Sequence, residues 1–168
     1  MSNEKSDAVS DAKLARRARL LRLGLNLYPA YLGAGIRVRH ISADFRQAQV
    51  KMGLHWFNRN YVRTQFGGSL YSMTDPFYML MLMNLLGRDY IVWDKAAHID
   101  FISPGKGTVY ADFQIDDALL ADIRARTANG DKYLPELTVA VHDAEGTLVA
   151  KVRKTLYVRL KPHARQAA

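Results

Sequence analysis

The stretch from Asn60 to Gly87, NYVRTQFGGSLYSMTDPFYMLMLMNLLG, restricts the fold of this chain more than any other part of the sequence. Beyond Phe66 its only charged residue is Asp75, and leucine, methionine, phenylalanine and tyrosine fall on every side of a helix. A helix that is apolar all round lies inside a protein and not on its surface. We therefore predict a central helix, from about Gly67 to Leu86, that the rest of the chain surrounds.

This apolar stretch is a poor match to a membrane span, because Asp75, Pro76 and Asn84 interrupt it. Only the uncharged residues from Pro76 to Gly87 follow the acid, whereas a spanning helix needs about 20 consecutive apolar residues. Proline in a helix also removes one N–H and clashes with the carbonyl four residues earlier. We expect no membrane span, and we expect the central helix to bend at Asp75.

The start of the predicted helix combines two glycines with an acid further along. Gly67 and Gly68 allow a ligand to approach the backbone closely. The first N–H groups of a helix have no partner within it, so they suit an anion or a carbonyl oxygen. Asp75 is a carboxylate among apolar residues. One interpretation is a functional acid, and the other is a structural acid bonded to a neighbouring hydroxyl such as that of Ser72 or Tyr71.

Composition limits the chemistry that the chain can perform. With 168 residues, 49% of them hydrophobic, it is long enough for one well-packed domain. It contains no cysteine, which excludes disulfides and thiolate chemistry. No basic and apolar leader opens the sequence, so we expect a cytoplasmic protein. Its histidines show no metal-ligand spacing, and neither a Gly-rich nucleotide loop nor a serine nucleophile elbow is present. We predict neither a metal nor a separate cofactor.

A short polar segment and an amphipathic helix precede the main domain. Residues 1–9 are small, polar and charged, and we predict a flexible N-terminus there. In residues 10–35 we predict an amphipathic helix, ending near Leu27, and a linker. Its apolar residues recur at helical spacing: Leu14, Ala18, Leu21 and Leu25. We expect the helix to pack on its own domain or across a subunit contact, with a membrane surface as the alternative.

Segments with a period of two, which is typical of half-buried strands, fill much of the main domain, residues 36–161. They are Ile36–Ile41, Gln47–Phe57, Tyr90–Ser103, Thr108–Ile115, Leu137–His142 and Thr147–Leu160. A short helix follows Asp116 or Asp117 and ends near Ala128. One long apolar helix followed by amphipathic strands predicts an α+β protein of the hotdog type, in which an antiparallel sheet curls around the central helix. The N-terminal helix and the short inserted helix are additions to it, and residues 162–168 are predicted to be a flexible C-terminus.

The formal charge of +8 arises from 24 Lys and Arg against 16 Asp and Glu, with much of the excess near the two ends. Such an excess suits nucleic acid, acidic lipid or a phosphate-rich ligand. Solvated faces of the N-terminal helix and the last strand are the plainer interpretation. The aromatic residues lie in apolar patterns and do not alternate with Lys and Arg as stacking platforms would. We expect no nucleic-acid partner.

The spacing of Asn60, Thr64, Gly67-Gly68 and Asp75 resembles that of the hotdog-fold acyl-CoA thioesterases of the phenylacetate-pathway type. Their motif is Asn, then His-Gly-Gly, then an Asp within the central helix. The resemblance covers the chain from about Ile36 to Leu160, and the chain is most similar to an uncharacterised bacterial branch labelled as thioesterases.

This resemblance implies a homodimer, or a dimer of dimers, with two sheets joined edge to edge. Asp75 of one subunit would face Asn60 and the Gly67-Gly68 turn of the other. The backbone N–H groups of Gly67 and Gly68 would stabilise the oxyanion of a thioester. Asp75, its pKa raised by burial, would act as general base or nucleophile, and Asn60 would orient the water.

The remaining substrate contacts are also implied by the resemblance. Thr64 and Phe66 would lie beside the bound thioester. If CoA is the ligand, its phosphates should meet basic residues outside the core, and Lys106 in a turn and Arg153 on the last strand are the candidates.

Two residues depart from the family pattern. Phe66 stands where a His is usual, and Arg63 stands where a Gly is usual. A catalytic Ser or Thr of some relatives falls near residues 93–95, where Asp94 is the only candidate. The leading hypothesis is therefore thioester hydrolysis, and its alternative is a noncatalytic protein that binds acyl-CoA or an acyl carrier. A basic nucleic-acid or membrane-surface protein is the third hypothesis.

Overall fold

The computed structural model describes residues 2–162 and residue 164, and for residues 2–10 it describes the backbone alone. The helices are α1 (Ser2–Leu27), α2 (Pro29–Ala34), α3 (Gly67–Ser72), α4 (Phe77–Leu86) and α5 (Asp117–Thr127). The strands are β1 (Ile36–Ile41), β2 (Gln47–Met52), β3 (Tyr90–Phe101), β4 (Val109–Gln114), β5 (Lys132–Tyr133), β6 (Glu136–Asp143) and β7 (Leu148–Leu160). Of the predicted flexible C-terminus, residues 163 and 165–168 lie outside the described residues.

The strands form one antiparallel sheet in the order β1-β2-β4-β6-β7-β3, with β5 paired to β7. The sheet curls around α4, and the prediction of an α+β hotdog fold is confirmed. Phe77 and Tyr78 of α4 pack against Phe113 of β4, with ring centroids 4.9 and 5.2 Å apart. The apolar face of α4 is thus buried against the inner face of the sheet, as expected for a helix without a polar side.

The central helix is not continuous. Pro76 has no N–H to donate, and the Asp75 N–H reaches the Ser72 carbonyl only at 3.4 Å. Residues 73–76 are therefore non-helical, and α4 starts afresh at Phe77. The predicted bend at Asp75 is a complete break, which leaves the Asp75 side chain 44% exposed.

Two other boundaries differ from the sequence prediction. Helix α1 begins at Ser2 and not at Ser10, so the predicted flexible segment 1–9 lies in this helix from residue 2 onward. The second strand ends at Met52, because the Asn58 side chain accepts a hydrogen bond from the His55 N–H (2.6 Å) and donates to the Gly53 carbonyl (2.8 Å). The prediction that this strand continues to Phe57 is wrong for residues 53–57, which form an irregular segment that ends in a turn at residues 56–58.

Helix α1 packs along β1, which is one edge of the sheet. The Asn26 side chain accepts a hydrogen bond from the Val38 N–H (2.8 Å) and donates to the Val38 carbonyl (3.0 Å). At the opposite edge, β3 pairs only with β7 among the described residues. No helix in residues 2–162 is both long and apolar enough to cross a membrane.

Candidate active site

The loop that follows β2 is held together by the side chain of Asn60. Its Oδ1 accepts a hydrogen bond from the Thr64 N–H (2.9 Å). Its Nδ2 donates to Thr64 Oγ1 (2.9 Å) and to the Gln65 carbonyl (3.2 Å). Asn60 therefore caps this loop, and within one chain its polar atoms already have partners.

Arg63, in the same loop, has a φ of +64°. This left-handed conformation is unfavourable for a residue with a Cβ and is adopted readily by glycine. The glycine that is usual here in the thioesterases that the chain resembles would fit without strain. Arg63 keeps the same turn at a cost of about 1 kcal/mol.

Helix α3 begins at Gly67 beneath two aromatic rings. A Cβ added to Gly67 would lie 3.0 Å from Phe101 Cζ, and one added to Gly68 would lie 2.5 Å from Phe66 Cε1. A larger residue at either position would have to displace a ring. Among the described residues, the N–H groups of Gly67 and Gly68 have no hydrogen-bond acceptor, so both are available to a ligand.

Asn60, Thr64 and Gly67 line a cavity of about 350 Å³, which we call the loop cavity. Its far wall is the segment 101–105 at the end of β3. Phe66 lies beside it with 55% of its surface exposed and its ring over Gly68. An apolar ring thus lies next to the loop cavity, at the position where a His is usual in the thioesterases that the sequence resembles.

Asp75 lies at the break between α3 and α4 with two donors on the same oxygen. Lys154 Nζ is 2.8 Å from Asp75 Oδ1, and the Tyr71 hydroxyl donates to this atom at 2.6 Å. The hydrogen bond from Tyr71 is the contact expected if Asp75 is a structural acid, which was one of the two interpretations of the sequence. Among the described residues, Oδ2 of Asp75 accepts no hydrogen bond, so one lone-pair face of the carboxylate remains open.

Lys154 is the residue that organises this part of the molecule. It comes from β7, its side chain is 0% exposed, and it lies between two acids, with Asp94 Oδ1 at 3.1 Å on the other side. The contact to Asp94 is an ion pair without hydrogen-bond geometry. A β-bulge between Asp94 and Ala96 in β3 lies at this point, where bulges commonly redirect side chains.

The charges of this cluster shift one another's pKa values. Partial burial acts to raise the pKa of Asp75, but the hydrogen bonds from Lys154 and Tyr71, together with the charge of Lys154, lower it overall. The prediction that burial raises the pKa of Asp75 is therefore wrong, because no cation had been placed beside it. Burial also acts to lower the pKa of Lys154, but the two carboxylates outweigh it and raise that pKa.

The pKa values of Asp94 and Tyr71 shift in the opposite direction to that of Asp75. Burial raises the pKa of Asp94 even though Lys154 opposes this, and the nearby charge of Asp75 adds to the rise. Burial and the hydrogen bond to Asp75 raise the pKa of Tyr71. Tyr71 thus remains a protonated donor at neutral pH, and Asp75 remains ionised.

Asp75 opens into a second cavity, of about 340 Å³, which we call the acid cavity. Its wall includes Tyr71 from α3, Leu25 at the end of α1, and Tyr28 and Tyr31 at the start of α2. The Tyr31 hydroxyl donates to the Ser72 carbonyl at 3.3 Å. An apolar and aromatic chamber with one ionised carboxylate is suited to an uncharged substrate group that reacts with that carboxylate.

Within one chain, the predicted site residues fall in separate places. Asn60, Thr64 and Gly67 line the loop cavity, whereas Asp75 lines the acid cavity. Lys106 and Arg153 are both exposed and line neither cavity, so their contact with CoA phosphates stays a prediction. The described residues contain no group of three or more His, Cys, Asp or Glu that could hold a metal.

Sequence reasoning missed Lys154 although the signal was present. Alternate residues of the predicted last strand, Leu148, Ala150, Val152 and Leu156, are apolar, and Lys154 occupies the even position between Val152 and Leu156. A lysine on a buried face requires a carboxylate partner, and Asp75 was the only acid in the apolar stretch. The period of two and this requirement together would have predicted the pair.

The fold is similar to that of several solved hotdog structures whose descriptions name thioesterases. PA5026 of Pseudomonas aeruginosa, described as a probable thioesterase, matches with a TM-score of 0.73 and 16% identity over 84% of this chain and 95% of its own. Thioesterase HI1161 of Haemophilus influenzae matches with a TM-score of 0.62 and 13% identity, over 84% of this chain and 89% of its own. PaaI of the phenylacetic acid degradation operon of E. coli matches with a TM-score of 0.60 and 18% identity, over 88% of this chain and 96% of its own.

At these identities the similarity establishes the fold, and it confirms the predicted hotdog resemblance at that level. The chain belongs to the family DUF4442, a domain of unknown function, whose sequence pattern matches residues 16–158. Comparison with curated proteins gives no match.

Proposed function

We propose that this protein hydrolyses acyl-CoA thioesters to a free acid and CoA, with Asp75 as the reacting carboxylate. The observation that carries the proposal is the state of Asp75. Lys154 and Tyr71 hold Oδ1 in place and keep the group ionised, while Oδ2 accepts no hydrogen bond among the described residues and Asp75 lines the acid cavity. A preorganised, ionised carboxylate beside an apolar chamber is what acyl transfer requires.

Two routes use this geometry. As a general base, Asp75 takes a proton from a water that attacks the thioester carbonyl, and the C–S bond breaks to release the thiol. As a nucleophile, Asp75 attacks the carbonyl itself and expels the thiolate, and water then cleaves the resulting anhydride. The lowered pKa keeps Asp75 ionised at neutral pH, as both routes require, and makes it a weaker proton acceptor.

The oxyanion donors of the proposal come from a second copy of the chain. The edge of β3 is available for pairing with an equivalent strand. A dimer joined there, or a dimer of such dimers, would bring Gly67 and Gly68 of one subunit towards Asp75 of the other. Two observations support this arrangement: the two N–H groups have no acceptor, and the two cavities are separate within one chain.

A noncatalytic acyl-CoA or acyl-carrier binder is the second candidate function. It is favoured by Phe66, whose ring covers Gly68 where a polar histidine is usual, and by the engagement of Asn60 in its own loop. Such a protein would bind the thioester and release it unchanged. Activity that appears only in Phe66→His would support this candidate.

A panel of acyl-CoA thioesters, assayed by thiol release, tests the proposed hydrolysis directly. A single turnover in water labelled with oxygen-18 then separates the two routes. When water cleaves the anhydride at the Asp75 carbon, the nucleophilic route puts the label into the Asp75 carboxylate and leaves the product unlabelled, whereas the general-base route labels the product alone. Label in Asp75 after a single turnover therefore identifies the nucleophilic route. Binding without turnover across the whole panel would reject hydrolysis in favour of the second candidate.

A further inference from the structure

Helix α1 has two apolar faces, and the rest of the fold covers one of them. Four residues of the covered face pack against the core: Leu14, Ala18, Leu21 and Leu25. On another side of the helix, Leu20, Leu23 and Leu27 are 56%, 44% and 72% exposed. Their spacing of three and four residues places them in one stripe. A continuous apolar stripe on a surface marks an interaction site, whereas scattered single leucines do not.

Cations border this stripe. Arg16 and Arg19 come four residues before Leu20 and Leu23, so each arginine lies one helical turn from a leucine of the stripe. Both arginines are exposed, and no carboxylate of a described residue lies within 4.0 Å of either side chain. Residues 12–43 contain seven Lys and Arg and no Asp or Glu. We call the three leucines and these two arginines the outer face of α1.

The exposed apolar surface continues past the end of α1. Tyr28 is 54% exposed and Leu32 is 40% exposed, and the Leu32 N–H donates to the Tyr28 carbonyl at 3.0 Å. Tyrosine, with an apolar ring and a polar hydroxyl, suits the boundary between water and lipid. Tyr28 also lines the acid cavity. The outer face of α1 therefore ends next to a residue of that cavity's wall.

We propose that the outer face of α1 docks on an anionic membrane surface, with the helix lying in the plane of the headgroups. Arg16 and Arg19 contact the lipid phosphates, and the three leucines enter the boundary between the headgroups and the acyl chains. The covered face of α1 stays on the core, so docking requires no unfolding. Through Tyr28, the docked surface includes one edge of the acid cavity.

Two other occupants match this surface less well. A twofold contact joins the same patch of two copies, so the outer face would meet its own cations with no acid from residues 12–43 between them. A nucleic acid would neutralise the arginines, but it would leave the leucines in water, where apolar surface is unfavourable. An anionic membrane provides phosphates for the arginines and an apolar layer for the leucines.

Cosedimentation of the full chain with lipid vesicles tests this inference, which goes beyond the proposed hydrolysis and does not depend on it. One set of vesicles contains phosphatidylcholine alone, and in the other set part of it is replaced by phosphatidylglycerol. We expect the chain to sediment with the phosphatidylglycerol vesicles only. Binding should weaken as the salt concentration rises, because exposed charges are screened.

The leucine variant Leu20→Gln/Leu23→Gln/Leu27→Gln tests the apolar part of the surface. Glutamine has nearly the helix propensity of leucine, and all three positions are exposed, so the urea midpoint should match that of the parent. Partitioning onto phosphatidylglycerol vesicles should fall about tenfold or more, because the side chains no longer gain from leaving water.

The arginine variant Arg16→Gln/Arg19→Gln tests the charged part. Its partitioning onto phosphatidylglycerol vesicles should also fall about tenfold or more, with a weaker salt dependence. The matched control is Arg124→Gln/Lys151→Gln, which removes the same charge at exposed positions away from α1. The control should bind vesicles as the parent does.

Four results would overturn the inference. The first is a parent chain that does not sediment with phosphatidylglycerol vesicles, and the second is an equal loss in the control. The third is a leucine variant that binds vesicles normally but changes from oligomer to monomer in light scattering, which would assign the outer face to a second copy. The fourth is a chain that binds a DNA duplex through Arg16 and Arg19 but binds no vesicles.

Discussion

The two halves of the candidate site are built in different ways. The Asn60 half is local: one side chain bonds to residues four and five positions later, and the loop supports itself. The Asp75 half is assembled from distant parts of the chain, because Lys154 arrives from β7 and Asp94 from β3. A locally satisfied loop tolerates change in the rest of the protein, whereas the charged cluster depends on the whole sheet being in register. Substitutions in the Asn60 half should therefore affect the loop alone, whereas substitutions in the Asp75 half should affect the stability of the whole domain.

The largest effect is expected from Asp75→Asn. Asparagine keeps the shape but can neither attack nor accept a proton, so turnover should fall by roughly a hundredfold or more. Since the pKa of Asp75 is lowered and not raised, this variant should be slightly less stable than the parent. Thiol-release kinetics and urea unfolding measure both quantities. Undiminished turnover would make Asp75 a purely structural residue.

Lys154→Met should give the next largest effect, on stability. It leaves two carboxylates near each other without the cation between them, at a cost of about 2–3 kcal/mol in the free energy of unfolding, less than for a fully buried pair because Asp75 is partly exposed. The triple variant that also carries Asp75→Asn and Asp94→Asn should recover much of this loss. If Lys154→Met unfolds at the same urea concentration as the parent, the cluster does not stabilise the fold.

Lowering the pH should change the stability contributions of Asp75 and Asp94 in opposite directions. The folded-state pKa of Asp75 is lowered, so its contribution is present above its unfolded pKa of about 4 and is lost as the pH falls below it. The pKa of Asp94 is raised, so its contribution is present below pH of about 4 and is lost as the pH rises. Between pH 7 and pH 3, Asp75→Asn should lose less stability than the parent and Asp94→Asn should lose more. Parallel profiles for both variants would contradict these opposite shifts.

Asn60→Ala should have a smaller effect, confined to its loop. It removes three hydrogen bonds, and we expect a loss of about 1–2 kcal/mol in unfolding free energy. Turnover should fall less than in Asp75→Asn, because the reacting carboxylate is still present. Amide hydrogen exchange should increase in residues 60–65 and stay unchanged in α4. A rate loss as large as that of Asp75→Asn would place Asn60 in the chemistry itself.

The smallest effect is expected from Arg63→Gly, and it should be favourable. Glycine adopts the φ of +64° without strain, although it also increases the freedom of the unfolded chain. The net gain should be small, at most about 0.5 kcal/mol, visible as a slightly higher urea midpoint. Arg59→Gly, in the same loop but without the left-handed conformation, is the control and should be destabilising.

The sequence was informative wherever a pattern was local. The strand Ile36–Ile41 has the predicted bounds, and Asp116 caps α5 by accepting a hydrogen bond from the Leu119 N–H, as the sequence suggested. The strand predicted to run on to Phe57 failed because alternation continued past Met52 while the Asn58 side chain turned the chain. Strand β5 has two residues, too few to show a period.

The candidate site was harder to predict because its parts come from different elements. The register of Asn60, Gly67 and Asp75 in the sequence indicated the region. The pKa of Asp75 depends on Lys154, which is 79 residues away along the chain, and on a bulge that no local pattern predicts. The pKa of Asp75 could therefore not be predicted until Lys154 was known to lie beside it.

The hydrogen bonds of Asn26 to Val38 have a consequence for assembly. They occupy both backbone groups of that residue at one rim of the sheet, and the Arg22 guanidinium bonds the neighbouring Arg39 carbonyl at 2.9 Å. A sheet with two open rims can add copies of itself without end, as fibres do. With β1 obstructed, β3 is the edge of the described sheet that is left for a second copy. Two β3 edges related by a twofold axis can pair with each other, and neither then remains free. In an assembly of copies paired through β3, helix α1 would thus block further addition at β1 and keep the assembly finite.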